Sequence, residues 1–289
     1  MKRRNALPKK QGLWGDVLHR FLRNRMAVFG AIVMILLILC ALLAPLIAPY
    51  GYDDQDASIA KQPPGPGHPF GTDNFGRDIL SRIIYGSQIS LQVGLIAVAI
   101  GLLIGGTLGT VAAFYGGKFD TVIMRFMDVL MAIPGMLLAI AIAASLGTGL
   151  RNMMIAIGLA NAPGFARVAR AAVLTVKDNE YIEAARSIGA GDLRIMLRHI
   201  LPNAVAPIIV QSTLGVAAAI LSCATLSFLG MGIQPPQAEW GAMLSAARQY
   251  LRYEPYMAVF PGLFIMITVF SLNIVGDGIR DAIDPRLKD

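Results

Sequence analysis

Six apolar stretches, each long enough to cross a bilayer, constrain this chain more than any other feature of its sequence. A hydrocarbon core about 30 Å thick is crossed by a helix of about 20 apolar residues. Residues 26–48, 88–115, 122–146, 152–171, 204–230 and 256–277 meet that length. In lipid every backbone polar group must find its partner within the protein, so runs of this kind fold as helices. The expected fold is an all-α membrane protein with six transmembrane helices. Composition agrees: 55% of the 289 residues are hydrophobic and only 15% are charged, against roughly 25% in a soluble domain. The first run follows basic residues, as a signal peptide would, but it is too long and lacks a convincing small-residue cleavage site before Pro45 and Pro49.

Orientation follows from the loops. With the N-terminus inside, nineteen of the 25 Lys and Arg residues fall in cytoplasmic segments, and this bias sets an N-in, C-in topology. The net charge of +7 therefore reads as topology and not as a nucleic-acid surface. Residues 1–25 form a cytoplasmic lead-in, and 26–289 form the six-helix domain. Within the lead-in, Trp14, Val17, Leu18, Phe21 and Leu22 share a helical face opposite Arg20 and Arg23. This suits a helix lying in the membrane interface, and an ordinary amphipathic lead-in fits the pattern equally well.

Within the spans, Pro134, Pro163, Pro207 and Pro261 each remove a backbone donor, which neighbouring groups must offset. Gly101, Gly105 and Gly109 are spaced by four, the stripe that lets helix backbones approach closely in a bundle or dimer. Arg125, Asp128, Arg167 and Arg170 lie near cytoplasmic ends, and the spacing of Arg125 and Asp128 allows a pair on one helix. The mid-depth polar residues are neutral, and Asn161, Gln211 and Ser222 are the candidates for lining a path. No chain of buried carboxylates suited to a proton-coupled pump is evident.

Covalent chemistry finds no support. Cys40 and Cys223 sit in apolar runs, with no disulfide framework and no metal-ligand spacing. His-Glu-x-x-His is absent, and the three histidines lie in aqueous segments, away from any intramembrane nucleophile. No phosphate loop exists, because Gly117-Lys118 is followed by Phe119 and lacks the upstream glycine. No catalytic residue and no cofactor are expected in this chain.

The loop 172–203 is the most informative. Asp178 is placed to cap a short helix from Tyr181 to Ile188, with Gly189 as a left-handed stop. Ile182, Ala185 and Ile188 share one face, and Ala184 and Ala185 are expected at the surface. A second helix opens near Asp192, carries Leu193, Met196, Leu197, Ile200 and Leu201 on one face, and ends at Pro202. Such a helix–glycine–helix can seat in another protein's groove or simply cover the bundle floor. Physics alone leaves both readings open.

The segment EAARSIGAGDLRIMLRHILPN, Glu183 to Asn203, resembles the EAA loop of ABC-importer permeases. It supplies Glu183, Ala184, Ala185, Gly189, Ile200, Leu201 and Pro202, with Ile-Leu-Pro where the family pattern has Ile-x-Leu-Pro. HPFGTDNFGRDILSRIIYGSQISLQVG (His68 to Gly94), SFLGMGIQPPQAEWGAML (Ser227 to Leu244) and GDGIRDAIDPRL (Gly276 to Leu287) resemble further signatures of the dipeptide/oligopeptide/nickel importer family, glutathione carriers included. The order is that of the C-type permease subunit, in a type I importer fold of a bacterial inner membrane.

That resemblance implies a coupling helix in the EAA loop that docks on a separate ATPase. It also implies a second homologous permease, two ATPase subunits carrying ATP and magnesium, and an extracytoplasmic substrate-binding protein. The outer loops, 50–87 and 231–254, would receive the binding protein, with Asp73, Arg77, Asp78 and Trp240 as candidate contacts. In the second loop the residues place Trp240, Met243, Leu244, Ala247 and Leu251 on one apolar face, with Glu239 and Arg248 turned to water. Asp277, Arg280, Asp281, Asp284 and Arg286 are read as ion-pairing around the last membrane exit. The competing classes are a stand-alone channel or secondary transporter, and a membrane scaffold.

Overall fold

The computed structural model describes residues 13–283; Asp284 and Arg286 of the expected C-terminal charge cluster lie outside the described residues, as does the side chain of Trp14. Among the described residues the chain is helical, with only isolated bridges at Gly65–His68 and Thr72–Asp78. Helix α1 (Leu13–Arg23) ends where the Asn24 carboxamide accepts hydrogen bonds from Met26 N and Ala27 N, starting α2 (Arg25–Leu42). Phe21 of the lead-in packs at Gly278 near the chain's end, while Leu18 and Leu22 stay exposed. The expected apolar face is thus shared between the bundle and the surroundings. A short α3 (Ala44–Ile47) leads into the outer segment.

The second span starts earlier than its apolar run. Asp78 caps Ser81 N at 2.7 Å, and α4 (Ile79–Gly101) runs through a π turn at Leu102–Gly106 into α5 (Thr107–Tyr115). Those 37 residues span about 55 Å at 1.5 Å per residue, so the helix projects beyond a hydrocarbon core. Polar residues such as Arg82 belong to it because the outer segment covers them.

The run 122–146 is not one straight helix. Helix α6 (Gly117–Ala132) and α7 (Gly135–Leu146) meet at 91°. Pro134 forces the preceding residue toward extended backbone, and Ile133 adopts φ −87°, ψ 129°. Helix α8 (Leu150–Leu174) follows, then α9 (Glu180–Ser187) and α10 (Asp192–Ile195), a π turn at Met196–Ile200, α11 (Leu201–Phe228), α12 (Trp240–Ala247) and α13 (Tyr256–Ile283). Pro202 does not end a helix as expected. It lies inside the continuous helical run Asp192–Phe228, directly after the π turn at Met196–Ile200 that shifts the local hydrogen-bond register. Leu201 N reaches back to Met196 O in the π register, and the Asn203 amide donates to His199 O at 2.7 Å.

Among the described residues four helical runs are long and apolar enough to cross a membrane: Arg25–Leu42, Ile79–Tyr115, Asp192–Phe228 and Tyr256–Ile283. The bent α6–α7 pair makes a fifth if counted as one span. Helix α8 has the length but not the apolar character, for it carries Arg151, Asn152, Asn161, Arg167 and Arg170. Its position accounts for this. It is the centre of the bundle, with Met153, Ala156, Ile157, Phe165, Ala166 and Ala169 buried, so less of it needs to suit lipid.

Glycine sets the closeness of that centre. A methyl built on Gly105 would land on the Ala162 carbonyl, and one on Gly109 on that of Ala166. Gly101 faces Phe165 and the Gly158 carbonyl. The stripe Gly101, Gly105, Gly109 is therefore matched on α8 by Gly158, Ala162 and Ala166, again spaced by four. The expected packing role is fulfilled inside this bundle.

Candidate functional site

Three regions hold the candidate residues: an elbow around α9 at one end of the α4–α5 helix, a cleft between α6–α7, α8 and α11, and a cap formed by residues 50–87 and 231–254 at the other end of α4–α5.

In the elbow, α9 begins after Asn179, not Asp178, and no side chain caps it. Gly189 adopts φ +79° and ends it, as its sequence position required. Ile182 is fully buried and Ala185 nearly so, in one cluster with Ala113, Phe114, Val173, Ile195 and Ile200. Full burial of an Ile side chain contributes about 1.5–3 kcal/mol, so this anchor dominates the attachment of so short a helix. Lys177 Nζ donates to Ala113 O at 3.1 Å, and the Arg186 guanidinium lies 5.5 Å over the Phe114 ring. Helix α9 is thereby fastened to the ends of α5, α8 and the α10–α11 run together.

Two expectations change here. Ala185 is buried, leaving Ala184 and Glu183 as the outward residues, and Ile188 is 85% exposed because it sits at the C-cap, past the helical face of Ile182. On the second helix Ile195, Met196 and Ile200 point inward, whereas Leu193 and Leu197 are exposed. Leu201 is half-buried and Pro202 exposed. The outward surface of the elbow thus includes Glu183, Ala184, Ile188, Leu193 and Leu197, a small-residue step flanked by apolar side chains.

A cleft of about 350 Å³ opens at the α6–α7 break, between α8 and α11. Asn161 and Gln211 both line it, along with Ile133, Pro163 and Phe165. Ser222, half-buried further along α11, does not. Neither carboxamide has a hydrogen-bond partner among the described residues, unlike Asn152 or Ser212, which bond to helix carbonyls. A polar group left without a partner away from water costs about 1–3 kcal/mol, which favours a site opening to water or to a solute.

The ionisable residues of α6 and α8 pair differently from expectation. Asp128 meets Arg167 of α8 at 2.8 Å rather than Arg125 of its own helix, and Asp120 accepts two hydrogen bonds from Arg170, both at 2.6 Å. Two acids on one helix facing two bases on another was the available signal, but same-helix spacing pointed elsewhere.

The cap buries all four residues expected to meet a binding protein, Asp73, Arg77, Asp78 and Trp240. Arg77 Nε lies 2.7 Å from Asp73, and Arg82 lies 3.7 Å from the same carboxylate. Asp78 accepts from Ser81 Oγ at 2.7 Å, with His68 Nδ1 at 2.9 Å. Trp240 is wholly buried, its indole N–H donating to Ile83 O at 3.0 Å. These side chains hold the loops 50–78 and 231–239 onto α4, and all four are buried. Glu239, expected to face water, is 1% exposed and caps α12 through Gly241 N (2.7 Å) and Ala242 N (2.8 Å). A Glu cap lacks the sequence frequency that marks Ser or Asp, so no local signal announced it. Leu251 is exposed rather than on the buried face, while Arg248 is exposed as expected.

Comparison with known proteins adds the context. Residues 101–289 match the family described as binding-protein-dependent transport system inner membrane component, and residues 12–64 match the N-terminal TM domain of oligopeptide transport permease C. The chain is 46% identical over 275 residues to the dipeptide transport system permease protein DppC of Alkalihalophilus pseudofirmus, covering 95% of this chain and 90% of that one. It is 49% identical over 276 residues to the glutathione transport system permease protein GsiD of Escherichia coli, covering 95% and 91%. In fold it is similar to an inward-facing structure of the MetNI methionine ABC transporter, with a TM-score of 0.59 and 19% identity over 71% of this chain and 98% of that chain. A helical bundle with apolar spans, a glycine-stopped elbow and family matches over residues 12–64 and 101–289 leads to one conclusion: this chain belongs to the family of binding-protein-dependent transport system inner membrane components, multi-pass permeases of the inner membrane.

Proposed function

We propose that the chain is one of two homologous permease subunits of an ATP-driven importer for dipeptides, oligopeptides or related small solutes such as glutathione. In this reading it crosses the membrane six times with both termini inside, α6–α7 forming one broken span and α8 another. Two ATPase subunits dock below it, and a substrate-binding protein delivers solute from outside. The elbow is the coupling element, with Glu183, Ala184 and Gly189 at the ATPase contact and Ile200, Leu201 and Pro202 passing its motion into α11. The mid-depth cleft is this chain's half of the path. Nucleotide chemistry belongs wholly to the partners.

The observation that carries this reading is the attachment of α9. Ile182 and Ala185 are sunk in a cluster shared with α5, α8 and the α10–α11 run, while Glu183, Ala184 and Ile188 face away. A push on the outer face of α9 is transmitted to all of these as one rigid body, because a packed core shifts between discrete arrangements and does not deform continuously. Closure of the ATPase pair would tilt the bundle and open the cleft to alternate sides.

Gentle purification of the tagged chain from its membrane tests this, with partners identified by mass and ATP hydrolysis measured. A second permease and two ATPase subunits should co-purify, and hydrolysis should rise when the binding protein carries solute. A solitary chain or homo-oligomer without hydrolysis, persisting across mild detergents, would overturn the reading in favour of a channel or scaffold.

A further inference from the structure

The cleft at the α6–α7 break has an unusual chemistry for a path that must pass peptides of varied charge. Among its lining residues only Asn161 and Gln211 have polar side chains, and none is ionisable. Several other polar residues of α8 and α11 spend their capacity internally: Asn152 donates to Leu146 O, Thr213 to Ile209 O and Thr225 to Leu221 O, and Ser222 lies off the cleft. Asn161 and Gln211 each keep two donors and an acceptor oxygen open, both half-buried and both on the cleft. Gly135 and Gly164 line the same space, and a Cβ placed at either would meet nothing within 4 Å. A solute backbone can therefore come close.

Resting on the reading of this cleft as half of the path, we propose that Asn161 and Gln211 form a charge-blind recognition pair for the amide groups of a passing peptide. A carboxamide presents the same donor and acceptor groups as a peptide unit, so it bonds to a backbone N–H or C=O whatever the flanking side chains are. An apolar wall with no fixed charge neither holds a lysine side chain nor repels an aspartate. Binding at the cleft stays weak enough to release, and choice among solutes is left to the delivering protein. The pair thus sets which chemical class crosses, without setting which member of it.

The test uses the complete transporter in proteoliposomes, with its binding protein, and measures uptake of trialanine, Ala-Lys-Ala and Ala-Asp-Ala under saturating conditions. The unaltered protein should move all three at similar rates. Asn161→Leu with Gln211→Leu should lower uptake of all three by about tenfold or more, the loss expected for two hydrogen bonds. Asn161→Asp should slow Ala-Asp-Ala relative to Ala-Lys-Ala, creating a charge preference absent before. Uptake at the original rate in the double variant, or no charge preference in Asn161→Asp, would overturn the proposal. So would loss of the second permease from the purified double variant, which would assign the cleft to subunit contact. Gly164→Trp separates the two levels of the argument. If it blocks uptake while the double variant transports normally, the path stands and the amide pair falls. If it too transports normally, the path itself lies elsewhere.

Discussion

Arg170 grips Asp120 across fifty residues of sequence, with Nε and Nη2 each 2.6 Å from a different carboxylate oxygen. Together with Arg167–Asp128 at 2.8 Å this lays α6 along α8. Little else does so, since Met127 is the buried residue of α6. The helix is bounded by Gly116 and Gly117, both at positive φ, and by the Ile133–Pro134 break. It is a strap with a glycine turn at one end and a proline break at the other, and the ion pairs are its clasp.

Opening that clasp should loosen the strap without unfolding the bundle. Arg170→Leu or Asp120→Asn should each cost about 1 kcal/mol locally, as a bidentate pair that remains partly exposed does. Limited proteolysis should then cut faster near Gly116–Gly117, while the double exchange Asp120→Arg with Arg170→Asp recovers much of the protection. Equal cleavage rates in all four proteins would show that the pairs do not hold α6.

The glycine stripe predicts a sharp positional contrast. Gly105→Ala puts a methyl on the Ala162 carbonyl, where backbone must move, at a cost of about 1–3 kcal/mol. Gly106→Ala meets only the flexible end of Leu102, and Gly164→Ala meets nothing within 4 Å. Thermal unfolding in detergent should drop clearly for the first and hardly move for the other two.

Glu239 anchors α12 from inside. Glu239→Ala removes both cap hydrogen bonds, a loss of about 0.5–2 kcal/mol, and Glu239→Gln should fall between it and the original. Its carboxylate lies 3.7 Å from the Cys223 thiol, which is 1% exposed. A small maleimide should therefore leave Cys223 unlabelled in the original protein and label it in Glu239→Ala, with half-exposed Cys40 as the internal reference.

Two isoleucines six residues apart should behave oppositely. Ile182→Ala empties a fully buried site and should destabilise by about 2–5 kcal/mol. Ile188→Ala, at 85% exposure, should leave melting unchanged and weaken recovery of the ATPase subunits. Gly189→Ala has free space but a left-handed backbone, and should cost about 1–2 kcal/mol. Comparing melting with partner recovery across the three separates the anchor of the elbow from its contact surface.

Much of the architecture is written locally. Apolar runs specify helices because lipid leaves backbone groups no other partner, and the spacing of Gly101, Gly105 and Gly109 marks a close approach without naming its counterpart on α8. Gly189 marked its turn because left-handed backbone admits few other residues. Asn161 and Gln211 could be singled out by polarity within apolar runs, and the structure brings these two to one cleft while leaving Ser222 apart. The 91° angle at Pro134 was less legible, since a proline announces a break but not its direction.

What the sequence alone determined, then, is an all-helical membrane chain, its periodic faces and its glycine stops, because each depends on residues within one or two turns. Tertiary structure decided the partners. Asp120 chose Arg170 at a separation of fifty residues, and the Trp240 indole found the Ile83 carbonyl at a separation of 157. Glu239, Asp73 and Arg77 look like surface charges in sequence but are buried, because loops far apart in the chain fold over them and supply the hydrogen bonds that make burial tolerable. A charge reveals its need for a partner locally; which partner it finds is settled only when distant segments pack.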